Sequence, residues 1–198
     1  MDYNDIFQDL KRQLTTLSNT STSTPDFTEA IINFFKERFS SRVVLSHMEN
    51  REYLYDICVM DFDPLDIYKN EKDSYKTYLV VESELGGTSA SSAKLVERNV
   101  IEDFFKILQA DAEYKIFIGV YSSNQNESGP LENRIKNMFE IAQKTNNQAR
   151  ILVVLIEGEH SGDSRHRQVK IKRPLNIDGF VMTHQDCTPI NSTNNEVL

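Results

Sequence analysis

Two nearly continuous apolar runs, Tyr114–Tyr121 and Arg150–Ile156, flank one amphipathic stretch, Pro130–Lys144. A strand with no polar alternation suits a sheet covered on both faces. The intervening stretch reads as a helix with Leu131, Ile135, Met138, Phe139 and Ala142 inward. A strand, a helix and a second buried strand in that order close as a right-handed parallel crossover. This unit commits the chain to the α/β class.

Upstream, the spacing of Phe7, Leu10, Leu14 and Leu17 predicts an amphipathic N-terminal helix. Ser18–Thr24 is a Ser, Thr and Asn run that reads as a linker. Thr24-Pro25-Asp26 resembles a helix start, with Thr24 as the cap and Pro25 in the first turn. Phe27, Ile31, Phe34, Phe35 and Phe39 continue that helix. Arg42–Ser46 and Leu54–Met60 read as strands joined by a turn at Met48–Arg51, and Tyr75–Glu84 as a third strand. Asp61–Ser74 between them is polar and reads as a loop. From Ser89 to Leu108 the pattern is helical, with Leu95, Val96, Val100, Phe104 and Ile107 on one face. Phe180–Met182 is expected as a final edge strand. The expected organisation is residues 1–24 as helix and linker, residues 25–190 as an α/β domain, and residues 191–198 as a polar tail. Early strands joined by tight turns imply antiparallel pairing, so the whole is a mixed central sheet flanked by helices.

Composition narrows the setting. No apolar run approaches membrane-spanning length. The start, Met1-Asp2-Tyr3-Asn4-Asp5, lacks the basic-then-apolar order of a signal peptide. Cys58 and Cys187 form neither a zinc spacing nor a disulfide framework. A reducing, cytoplasmic location is the expectation, with no membrane partner. The net charge of −8 does not favour nonspecific nucleic-acid binding, which depends on Lys and Arg neutralising phosphates. It does not exclude it, because Arg165-His166-Arg167 and Lys170-Ile171-Lys172-Arg173 cluster locally. His47, His160, His166 and His184 have no ligand spacing, and Ser122-Ser123 and Gly86-Gly87 read as ordinary loop chemistry.

The chemistry points to Glu82-Ser83-Glu84, which closes the apolar lead-in Leu79-Val80-Val81. Side chains two apart on a strand share a face. Two carboxylates so placed repel unless a proton or cation lies between them. A divalent metal with hard oxygen ligands resolves that conflict at neutral pH. Asp56, inside the apolar segment Tyr53–Met60, is a candidate third carboxylate. Glu29, on the helix before, is a candidate fourth group.

This order of elements resembles the PD-(D/E)XK nuclease superfamily, the restriction-endonuclease-like fold. The likeness runs from Glu29 on a helix, through Asp56-Ile57-Cys58-Val59, to Val80-Val81-Glu82-Ser83-Glu84 and a following helix. It covers roughly Pro25 to Tyr121. Most members have Lys where this chain has Glu84, but some restriction endonucleases use Glu-X-Glu. The string Glu82-Ser83-Glu84-Leu85-Gly86 is similar to that variant. The chain also departs from the pattern in having Tyr55 rather than Pro before Asp56. Lys94 on the next helix is the candidate for a migrated lysine. The resemblance implies a Mg²⁺- or Mn²⁺-dependent nuclease acting on DNA phosphodiester bonds, of restriction or repair type. Asp56, Glu82 and Glu84 would then be metal ligands, with Glu29 bonding a metal water. It is compatible with a homodimer, since double-strand cutters of this superfamily often pair two active sites. The alternatives are an inactive binding or interaction module on the same fold, or a metal-binding regulatory domain.

Overall fold

The computed structural model describes residues 1–46, 54–64, 67, 75–86, 92–122, 128–145, 148–161 and 168–190. The expected turn at Met48–Arg51, the residues Gly87, Ser123 and Arg165–Arg167, and the tail 191–198 lie outside them. Four helices flank one mixed sheet. The helices are α1 (Tyr3–Ser18), α2 (Thr24–Arg38), α3 (Ala93–Gln109) and α4 (Pro130–Lys144). The strands are β1 (Val43–Ser46), β2 (Ile57–Met60), β3 (Thr77–Glu84), β4 (Tyr114–Tyr121), β5 (Ile151–Ser161), β6 (Gln168–Ile171), β7 (Ile177–Met182) and β8 (Cys187–Pro189).

The sheet order is β1-β2-β3-β4-β5-β7-β8, with β6 pairing β5 beside that path. β1, β2 and β3 are antiparallel neighbours. β3, β4 and β5 are parallel, as the two apolar runs require. β7 and β8 then add antiparallel strands. β7 is therefore interior, and β8 is the edge that the sequence pattern placed at β7. β2 begins at Ile57 rather than Leu54, because Leu54 takes a positive φ of 68° that breaks the extended run. β5 continues to Ser161, beyond the expected Ile156, and its last residues pair with β6.

Register assigns the helices to faces. Phe104 of α3 meets Phe117 of β4 edge-on, with ring centroids 5.5 Å apart. Phe117 pairs with Glu82 on one side and Val153 on the other, so these share the α3 face. One step along, Ile118 pairs with Val154, which pairs with Gly179. Gly179 lies against the ring of Phe7 in α1. α1 therefore covers the opposite face, and α2 packs on α1 and reaches β1 and β6. α3 and α4 pack together on the first face, as two consecutive right-handed crossovers demand.

Local chemistry starts each helix. Asp2 accepts the Asn4 N–H at the head of α1, and Ser92 accepts the Leu95 N–H at the head of α3. The cap of α2 is Ser23, one residue before the expected Thr24. α4 follows Gly129, whose φ of 63° is left-handed, and begins with Pro130. Phe7, Leu10 and Leu14 of α1 share a core with Phe27, Ile31 and Phe35 of α2. Leu95, expected inward on α3, is instead 37% exposed. Among the described residues, no helix is long and apolar enough to cross a membrane.

Candidate active site

Glu82 and Glu84 stand at the C-terminal end of β3, both on the α3 face, as their two-residue spacing predicts. Ser83 between them points to the α1 face. The Glu82 side chain is only 2% exposed, and its Oε1 lies 2.6 Å from Lys106 Nζ of α3. Among the described residues this buried Oε1 has no hydrogen-bond partner besides that ammonium. Asp103, one turn earlier on α3, holds its Oδ1 3.8 Å from the same ammonium.

Asp56 sits one residue before β2, where that strand departs from β3. Its Oδ2 accepts from the Ser83 N–H at 2.8 Å and the Ser83 hydroxyl at 2.9 Å. This grip fastens the start of β2 to the end of β3. Glu84 Oε1 accepts the Gly86 N–H at 2.6 Å, in a turn where Gly86 has a φ of 89°. A Cβ on Gly86 would meet Val169 of β6 at 3.0 Å, so glycine is required by both conformation and space.

The electrostatics identify these side chains as one cluster. Burial raises Glu82 to about 7; the Lys106 ammonium opposes this, while Asp56 and Asp103 add to it. Glu84 is raised by burial, against the Gly86 N–H, with Asp103 and Asp56 contributing. Asp103 is raised by burial too, partly offset by Lys106. Burial alone would lower Lys106, but Glu82, Asp103 and Asp56 outweigh it and raise it. Each of these groups responds to Asp56, so Asp56 belongs to the same field.

Two sequence expectations land elsewhere. Glu29 is exposed on α2, and α2 belongs to the layer on the opposite face from Glu82. It makes none of the contacts that define the cluster. Lys94 is exposed in the first turn of α3, and Lys106, later in the same helix, is the cation beside Glu82. Asp103 and Lys106 went unread because both flank, rather than interrupt, the apolar stripe of Val100, Phe104 and Ile107. The available signal was an Asp-x-x-Lys pair bordering that stripe on the helix after the Glu-X-Glu strand.

Among the described residues, no three His, Cys, Asp or Glu side chains already stand as a metal cage. No protein-family model matches the chain, and no curated protein or solved structure is significantly similar to it.

Proposed function

We propose that this chain is a metal-dependent nuclease of PD-(D/E)XK type that hydrolyses DNA phosphodiester bonds, in restriction or repair. The observation that carries the reading is Glu82 Oε1: a buried carboxylate oxygen at the end of a strand, held by one lysine ammonium and flanked by two further acids. Burying such a group without full satisfaction is costly, and sites that bear this cost are commonly functional.

The donor set fits Mg²⁺ or Mn²⁺. The candidate ligands are carboxylate oxygens of Asp56, Glu82 and Glu84, and Mg²⁺ needs only one or two carboxylates with waters completing its shell. When bound, such an ion supplies an acidified water and a counter-charge for the attacked phosphate. Glu82 contributes Oε1. Asp56 keeps Oδ2 on Ser83 and offers Oδ1. Glu84 keeps Oε1 on the Gly86 N–H and offers Oε2 to take a proton from the attacking water. Lys106 is the cation beside Glu82, in a chain where the commoner Lys of this superfamily is replaced by Glu84.

The test is incubation of the purified chain with supercoiled plasmid and with single-stranded DNA, in Mg²⁺ or Mn²⁺. Cleavage is expected in the wild type and lost in Glu82→Ala and Asp56→Ala. Intact substrates under every condition would refute the enzyme.

A second reading, a non-catalytic binding module on the same fold, draws on the same contacts. Asp56 Oδ2 and Glu84 Oε1 are engaged by the chain's own N–H groups, and Lys106 balances Glu82. DNA retained without cleavage, and unaffected by Glu82→Ala, would favour it.

A further inference from the structure

The ion pair between Glu82 and Lys106 is lopsided. Glu82 comes from the middle layer of the fold, and its side chain is 2% exposed. The Lys106 side chain is 45% exposed and reaches the acid from the rim of α3. Its ammonium lies 2.6 Å from Glu82 Oε1, a buried oxygen with no other hydrogen-bond partner among the described residues. That is also the oxygen a divalent cation would take. An ammonium and a divalent cation at contact distance from one oxygen repel each other, strongly so away from bulk water. One must yield, and only the lysine has a flexible stem and a path to solvent. Asp103, with Oδ1 already 3.8 Å from Nζ, stands on the same helix to receive it.

We propose that Lys106 is a built-in cation that occupies the Glu82 carboxylate until a divalent ion displaces it, and that Asp103 then holds the released ammonium. This rests on the metal-site reading above and adds a competition to it. The site is consequently never a bare cluster of acids: it exchanges a tethered monovalent cation for a free divalent one.

Mn²⁺ binding to the full chain, measured by calorimetry, tests the competition. Removing the competitor in Lys106→Met should tighten Mn²⁺ binding by about tenfold or more. Equal or weaker binding by the folded variant overturns the proposal. The wild type provides a second readout that needs no substitution. Labelling of Lys106 by an amine-reactive reagent, followed by mass spectrometry, should rise several-fold when Mg²⁺ is added, because the amine exchanges the buried Glu82 for the more exposed Asp103 as its partner. Labelling that stays constant or slows, at Mg²⁺ concentrations calorimetry finds bound, overturns it. The two readings fail differently. Equal Mn²⁺ binding by wild type and Lys106→Met, abolished in Glu82→Gln, removes the competition alone. Mn²⁺ bound by neither protein removes the metal site and the competition with it.

Discussion

Phe7 of α1 lies so close to Gly179 of β7 that a Cβ at position 179 would stand 2.6 Å from the ring edge. The contact joins the first helix to the seventh strand and makes α1 part of the core rather than an appendage.

Gly179→Ala should therefore destabilise the protein by roughly 1–3 kcal/mol through overpacking against a ring that fills its site. Urea denaturation will show a lower midpoint at unchanged slope. Adding Phe7→Leu should return part of the loss, because the two positions share one contact. A Gly179→Ala midpoint equal to that of the wild type would contradict the packing.

The phenol of Tyr3 ties two strand starts together. Its O–H donates to the Arg150 carbonyl at 2.9 Å and accepts the Lys115 N–H at 3.1 Å. Tyr3→Phe keeps the ring and strands both backbone groups, at a cost of about 1–3 kcal/mol. Hydrogen exchange of the Lys115 amide should speed up more than that of amides in α3.

Glu82 makes stability depend on pH in an unusual direction. Its folded value, about 7, exceeds its ordinary value of 4.5, so between these the folded state binds more protons than the unfolded. Stability then falls as pH rises from 4.5 through 7, by at most about 3 kcal/mol. Glu157 acts oppositely: burial would raise it, but Lys172 and Asn176 pull it below 4.5. Its contribution fades only as pH drops beneath that window. Urea titrations in EDTA between pH 4.5 and 8 should show the decline in the wild type and a flatter profile in Glu82→Gln. A wild-type profile that rises over this range would contradict the assignment.

Glu84→Lys should fold, and it should retain any hydrolysis the wild type has, since it restores the commoner Glu-X-Lys arrangement. Circular dichroism and a plasmid assay test both parts. Unfolding would mark the Glu84 bond to the Gly86 N–H as structural instead.

Much of this was legible in the sequence, and the misses share a cause. The apolar runs that became β4 and β5 declared their double coverage, and Glu82 and Glu84 declared a common face through the strand period. Those are local facts. Glu29 could not be excluded locally, because nothing in α2 tells which side of the sheet it will cover. Lys94 and Lys106 sit on one helix, and only the way α3 lies across β3 and β4 selects the later one. β6 was missed because Gln168–Ile171 is only four residues long and its end lies in the Lys170–Arg173 charge cluster; it forms because β5 runs on and offers Gly158–Ser161 as a template. Leu95 fits the helical stripe by number, yet it lies about 100° round the helix from Val96, which is 1% exposed, so Leu95 falls on the margin of the covered face.

The contact between Gly86 and Val169 sets an order on the growing chain. A polypeptide emerging N-terminus first can pair β3 with β4 and β4 with β5, but the turn that seats Glu84 has no wall behind it until β6 arrives. Fragments ending at Ile156 would display all the acids of the cluster on an unfinished corner, because the wall at Val169 lies further along the chain.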